Sequence, residues 1–172
     1  RDLIVTGVQT CALPIYGIQL AGDIGRNRAC DKILDRLFAR VFIFRSGETF
    51  AALICGDLNC IRYTPALEFR RSIGIIPTEN IIFHCSQSHS APCVGPFLMD
   101  RGHRIPEKFF WIHGYSPEYD AFVFRALRKA FRDALKKMEP VTVTYGRTTD
   151  GRCSFNRRFR MRDGTSRTHP PT

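Results

Sequence analysis

Two short segments of the chain carry residue types that do chemistry. Ser86 to Gly95, SQSHSAPCVG, follows the apolar run Asn80 to Cys85, NIIFHC, and holds Gln87, Ser88, His89, Ser90 and Cys93 in a polar loop. A polar loop at the carboxyl end of a sheet strand is where α/β folds place ligands. His89 is flanked by Ser88, Ser90 and Pro92, so its ring is expected to be held by a hydroxyl and to face a cleft. A loop histidine also serves as an ordinary hydrogen-bonding residue, and the residues alone leave both roles open. His84, Cys85, His89 and Cys93 are metal-ligand types. His84 and Cys85, however, are strand neighbours that point to opposite faces, which argues against one closed zinc site.

The second segment is Ser154 to Met161, SFNRRFRM, where Asn156 and Arg157 follow an apolar strand pattern and stand between Phe155 and Phe159. A guanidinium held between two rings grips a carbonyl oxygen, carboxylate or phosphate. A basic surface loop is the plainer reading. Single-stranded RNA would stack on the same pattern, but the paired glycine and aromatic signature of RNA-binding modules is missing. The sequence contains no GxSxG elbow, phosphate loop or HExxH.

These segments need elements to position them. Leu37 to Phe44 and Thr49 to Leu58 are apolar runs joined by Arg45, Ser46, Gly47 and Glu48, the pattern of a hairpin. Thr64 and Pro65 are placed to cap a helix that Gly74 stops, and NIIFHC then reads as a buried strand. A longer helix starts at Ser116 with Pro117 and Glu118 in its first turn and runs to about Met138. Val123, Leu127, Ala130, Ala134 and Met138 share one face, and the basic row from Arg125 to Lys137 is a solvated face. Past Pro140, Val141 to Tyr145 alternates as a strand, and Met161 to Thr172 reads as exposed. Strand, helix and strand in succession predict an α/β fold, a mixed sheet core flanked by helices.

Length and composition agree with one ordinary domain: 172 residues, 44% hydrophobic, 24% charged. The formal charge is +10 from 26 Lys and Arg against 16 Asp and Glu, which permits nucleic-acid binding without requiring it. No run approaches the ~20 apolar residues of a membrane helix. Arg1 to Ile15, RDLIVTGVQTCALPI, resembles translated sequencing-adapter DNA, with Leu3 and Ile4 in the variable index. On that reading residues 1–15 are set aside and few buried contacts are expected of them; the alternative is a short amphipathic strand. The true amino terminus and any signal peptide then lie outside the sequence. Without Cys11, the remaining Cys30, Cys55, Cys60, Cys85, Cys93 and Cys153 form no CxxC pair and are expected to pack as small apolar residues.

Four segments together resemble the amino-terminal part of the neutral/alkaline, non-lysosomal ceramidase family. They are GIQLAGD at Gly17 to Asp23, LDRLFARVFIF with GETFAALICGDL within Leu34 to Leu58, GIIPTENIIFHCSQSHSAP at Gly74 to Pro92, and SFNRRFRMRDGTSRTHP at Ser154 to Pro170. They fall in family order across 16–172, which would make that stretch a partial amino-terminal domain. The resemblance implies a sheet-rich hydrolase that cleaves the amide of N-acylsphingosine with zinc and a bound water, a lipid amide as partner, and a secreted or membrane-associated setting. Nucleic acid is not expected as a partner.

The family loop Thr-His-Thr-His-Ser-Gly-Pro stands here as Ser86, Gln87, Ser88, His89, Ser90, Ala91 and Pro92. The resemblance therefore gives His89 and Arg157 catalytic roles on the substrate oxygens, and Asn156 and Ser90 substrate contacts. Gln87 occupies a zinc-ligand position with an amide oxygen, a much weaker ligand than imidazole. The other family ligands are expected beyond Thr172, so the fragment alone is expected to be inactive. A homologue with altered or lost metal chemistry, or a basic module binding anions or nucleic acid, are the competing readings.

Overall fold

Ala39, Val41 and Ile43 alternate with Phe38, Arg40 and Phe42, a period of two that lets an extended chain bury one side. In the structure, a computed structural model that describes residues 3–6, 9–13, 15–97, 105–152 and 156–168, this segment is strand β3, Leu37–Ser46. It pairs antiparallel with β4, Thr49–Gly56. Only Gly47 and Glu48 form the turn, so Arg45 and Ser46 belong to the strand. Gly47 has φ 58° at the first turn position, which a tight type II′ connection requires and glycine supplies without strain.

Helix α1, Tyr63–Ile73, connects β4 to β5, Ile81–Cys85, and β4 and β5 run parallel from Ala52↔Ile81 to Gly56↔Cys85. The N-cap position is Arg62, without a side-chain cap. Thr64 and Pro65 lie inside the first turn, where proline's missing N–H removes no helical bond. Gly74 ends the helix at φ 72°. The expectation of a buried β5 needs correction: it is the outer strand of the sheet, and Ile82 is 61% exposed.

Helix α2, Pro117–Leu135, starts as its sequence predicts, with Ser116 Oγ accepting from Tyr119 N–H at 3.2 Å. Its buried residues Tyr119, Val123, Leu127, Ala130, Phe131 and Ala134 pack on the face of β3 that carries Ala39, Val41 and Ile43. Phe124 stacks on Phe69 of α1 with centroids 5.3 Å apart, and Phe69 meets Phe83 of β5 edge-on. The basic residues Arg125, Lys129, Arg132, Lys136 and Lys137 are exposed. None of the described helices is long and apolar enough to cross a membrane. Met138 leaves the helix and begins strand β6, Met138–Val141. Pro140 sits within this edge strand, where a missing N–H is tolerated. The strand expected over Val141 to Tyr145 does not form: β6 ends at Val141, and Val143 and Tyr145 are exposed.

The chain divides into two units, Arg1–Thr142 and Val143–Thr172. The first holds a mixed sheet flanked by helices, an α/β arrangement. Its order is β5-β4-β3-β1-β6, where β1 is Leu3–Thr6 and β2, Gln9–Leu13, also pairs β3. In the second unit β7, Arg158–Arg160, and β8, Ser166–Thr168, form a small exposed hairpin.

The strands β1 and β2 correct one expectation for Arg1 to Ile15, that the segment makes few contacts; they bear on pairing and not on its origin. Both pair antiparallel with β3, β1 also pairs β6, and Ile15 is 5% exposed in the core. The physical reason is the edge of β3, a long row of N–H and C=O groups that a β-prone segment satisfies whatever its origin. Deleting Arg1 to Leu13 is expected to lower the melting temperature by more than about 5 °C, because β3 and β6 both lose a partner. A melting temperature unchanged by the deletion would contradict this sheet order.

Candidate functional site

The parallel ladder of β4 and β5 stops at Gly56 and Cys85, with one further bond from Ser86 N–H to Gly56 O at 3.0 Å. It resumes beyond. Asn59 N–H donates to Pro92 O at 3.0 Å, Val94 N–H to Cys60 O at 2.9 Å, and Arg62 N–H to Val94 O at 2.9 Å. Gln87 to Ala91 lie between these stretches and are looped out at the carboxyl ends of two parallel strands. Gln87 opens the excursion with φ 59°, the only positive φ at a non-glycine among the described residues.

The loop is held from two sides. Asn59, 3% exposed, donates its side-chain N–H to Ser88 O at 3.1 Å. Arg28 donates to His89 O at 2.8 Å, and Ala21 N–H to Ala91 O at 3.0 Å. Within the loop, Ser88 Oγ accepts from Ser90 N–H at 3.2 Å. Gln87, His89 and Ser90 are exposed, whereas Ala91 to Gly95 are buried. The backbone is thus fixed while the polar side chains face solvent. An exposed imidazole on a fixed backbone is able to exchange a proton or hydrogen-bond an oxygen.

Gly22 lies against this histidine. A methyl group there would come within 2.7 Å of Asn59 Nδ2, 2.8 Å of His89 Cγ and 2.9 Å of His89 Nδ1, and Gly22 also has φ +87°. Space and backbone both demand glycine. The hairpin-like segment that carries it is closed by Leu20 N–H to Arg28 O and Cys30 N–H to Ile18 O, at 2.8 and 2.9 Å. At its tip Asp23 accepts from Gly25 N–H and Arg26 and lies 3.5 Å from Arg28 Nε. The Gly25 amide, then the arginines, hold its carboxyl below the usual range.

The far end of the loop is tied to α2. Gly95 N–H donates to Asp120 Oδ2 at 2.9 Å, while Cys93 N–H donates to Gly114 O at 2.7 Å. Burial raises Asp120 to about 6, against the lowering effect of the Gly95 amide. His113, 6% exposed among Phe110 and Tyr115, is held below the usual imidazole range by burial.

Asn156 and Arg157 lie in the second unit, exposed and just ahead of β7; Phe155 and Cys153 are outside the described residues. The apolar strand expected before them is absent among the described residues, where 143–152 is irregular. Asn156 Oδ1 accepts from Arg158 N–H at 3.0 Å. Phe159 is itself exposed.

A catalytic zinc needs three protein ligands and an open position. Among the described residues no group of three or more His, Cys, Asp and Glu side chains is placed to hold a metal ion. Gln87 and His89 add only one strong donor and one weak one, so the described residues do not fit a zinc centre.

Asn59, Gly22 and Arg28 were not singled out by the sequence reading. Gly22 sits within GIQLAGD, and Asn59 follows the apolar run that becomes β4; both signals are local, while their contacts lie far along the chain. Gly22→Ala is expected to cost about 1–3 kcal/mol of stability from strain and overlap, and to shift the NMR resonances of the His89 ring. A loss under about 0.5 kcal/mol with unchanged His89 resonances would show that the glycine does not seat the histidine.

No protein-family model and no curated protein match the chain. Solved structures do. The neutral ceramidase from Pseudomonas aeruginosa superposes with a TM-score of 0.59 at 12% identity, over 81% of this chain and 22% of that one. A ceramidase complexed with C2 gives 0.61 at 12% identity over the same shares. The chain thus spans about a fifth of the length of these ceramidases. What it shares with them is a fold: the chain is ceramidase-like in architecture.

Proposed function

We propose that this chain is the amino-terminal part of a ceramidase-like amidohydrolase that cleaves N-acylsphingosine or a related lipid amide. The observation that carries the reading is His89, exposed on a fixed loop at the carboxyl ends of parallel strands, within a fold similar to that of two ceramidases. His89 holds or moves a proton at the oxygen of the tetrahedral intermediate, and Ser90 contacts the substrate beside it. The roles of Arg157 and Asn156, contacts to the substrate oxygens, are proposed separately. Gln87 favours a second reading, a homologue of this fold with altered or lost metal chemistry.

In the full-length protein, His89→Ala is expected to lower hydrolysis of a short-chain N-acyl amine by about a hundredfold to a thousandfold, while circular dichroism stays parental. Arg157→Ala, measured alongside, tests the second contact. A folded His89 variant with parental turnover would reject the reading. Elemental analysis of the purified 172-residue chain is expected to find no stoichiometric zinc; one tightly held zinc per chain, lost in His89→Ala, would overturn the ligand assignment and the second reading with it.

A further inference from the structure

Next to Asn59 stand two cysteines that the proposed hydrolysis does not use. The Ile61↔Val94 bridge sets Cys60 directly beside Cys93 on neighbouring parallel segments, and their Sγ atoms lie 3.3 Å apart as free thiols. Neighbouring extended segments bring Cα atoms to about 5 Å, inside the range a disulfide spans. Cys60 is half-buried, whereas Cys93 is buried with Sγ 3.5 Å from Asn59 Oδ1. We propose that Cys60 and Cys93 are a dithiol modification site, which a low-molecular-weight disulfide such as glutathione disulfide converts into a cross-link between the segment that follows β4 and the foot of the His89 loop.

The chemistry divides between the two thiols. Cys60 thiolate attacks one sulfur of glutathione disulfide, the S–S bond breaks, and one glutathione thiolate leaves. Cys93 then loses its proton to solvent and attacks Cys60 Sγ, and the second glutathione leaves. The two protein thiols are oxidised and one glutathione disulfide is reduced to two glutathiones. The hydrogen bond between the two thiols brings Cys60 down to about 7, with Arg62 adding to the effect, while the same bond and burial push Cys93 up. Burial pushes nearby Cys85 up to about 12, which leaves it a poor competitor.

The test incubates the folded 172-residue chain with glutathione disulfide near about pH 8, traps free thiols by alkylation, and maps peptides without reduction. The expected product joins the Cys60 and Cys93 peptides, lacks two hydrogens of mass, and melts roughly 5–10 °C higher until dithiothreitol is added. Cys93→Ser is expected to stop at a single glutathione on Cys60, and Cys60→Ser to leave Cys93 unmodified. The parent map decides even if a variant fails to fold. A parent in which Cys60 stays unreacted, stays glutathionylated, or pairs with another cysteine would overturn the proposal.

Discussion

One buried amide organises the site. Asn59 leaves the end of β4 with its backbone N–H on Pro92 O, its side-chain N–H on Ser88 O, and its Oδ1 3.5 Å from Cys93 Sγ. These contacts reach both feet of the looped-out segment. A buried amide left unpaired costs about 1–3 kcal/mol, so the native arrangement is the one in which Asn59 finds all of these partners. Because the loop closes around it, His89 is presented to solvent on a backbone that has little freedom. Gly22 and Arg28 then close the other side.

The sheet supplies the platform on which that amide sits. Ala39, Val41, Ile43, Ala52 and Ile54 are buried in one cluster with the apolar residues of α1 and α2. The opposite face keeps Phe38, Phe42 and Leu53 only half-covered. Such one-sided burial is the ordinary condition of an antiparallel hairpin, and it leaves the parallel β4 and β5 pair as the place where carboxyl ends open to solvent. The site therefore depends on the parallel pairing of β4 with β5, where the other described strand pairs of the sheet are antiparallel.

Features set by neighbours in sequence were legible in advance. The Ser116 and Pro117 helix start, the Gly47 hairpin and the polar loop after β5 all follow from local sterics and capping. Features set by distant partners were not. Pairing of Leu3 to Leu13 depends on which edge of β3 is open, and burial of Asn59 depends on Pro92 and Ser88, some thirty residues on. The tract after Pro140 follows the same rule: Val143 and Tyr145 alternate like a strand, yet both side chains are exposed. His89 was therefore readable as exposed loop chemistry, but the residues that fix it were not.

Native-state hydrogen exchange of Asn59→Ala reads out whether Asn59 anchors the His89 loop. The Cys93 and Val94 amides, bonded to Gly114 and Cys60 in the parent, are expected to exchange about tenfold faster or more, with their protection falling further than that of the β3 and β4 amides. Parental protection at Cys93 and Val94 in a folded Asn59→Ala chain would contradict it.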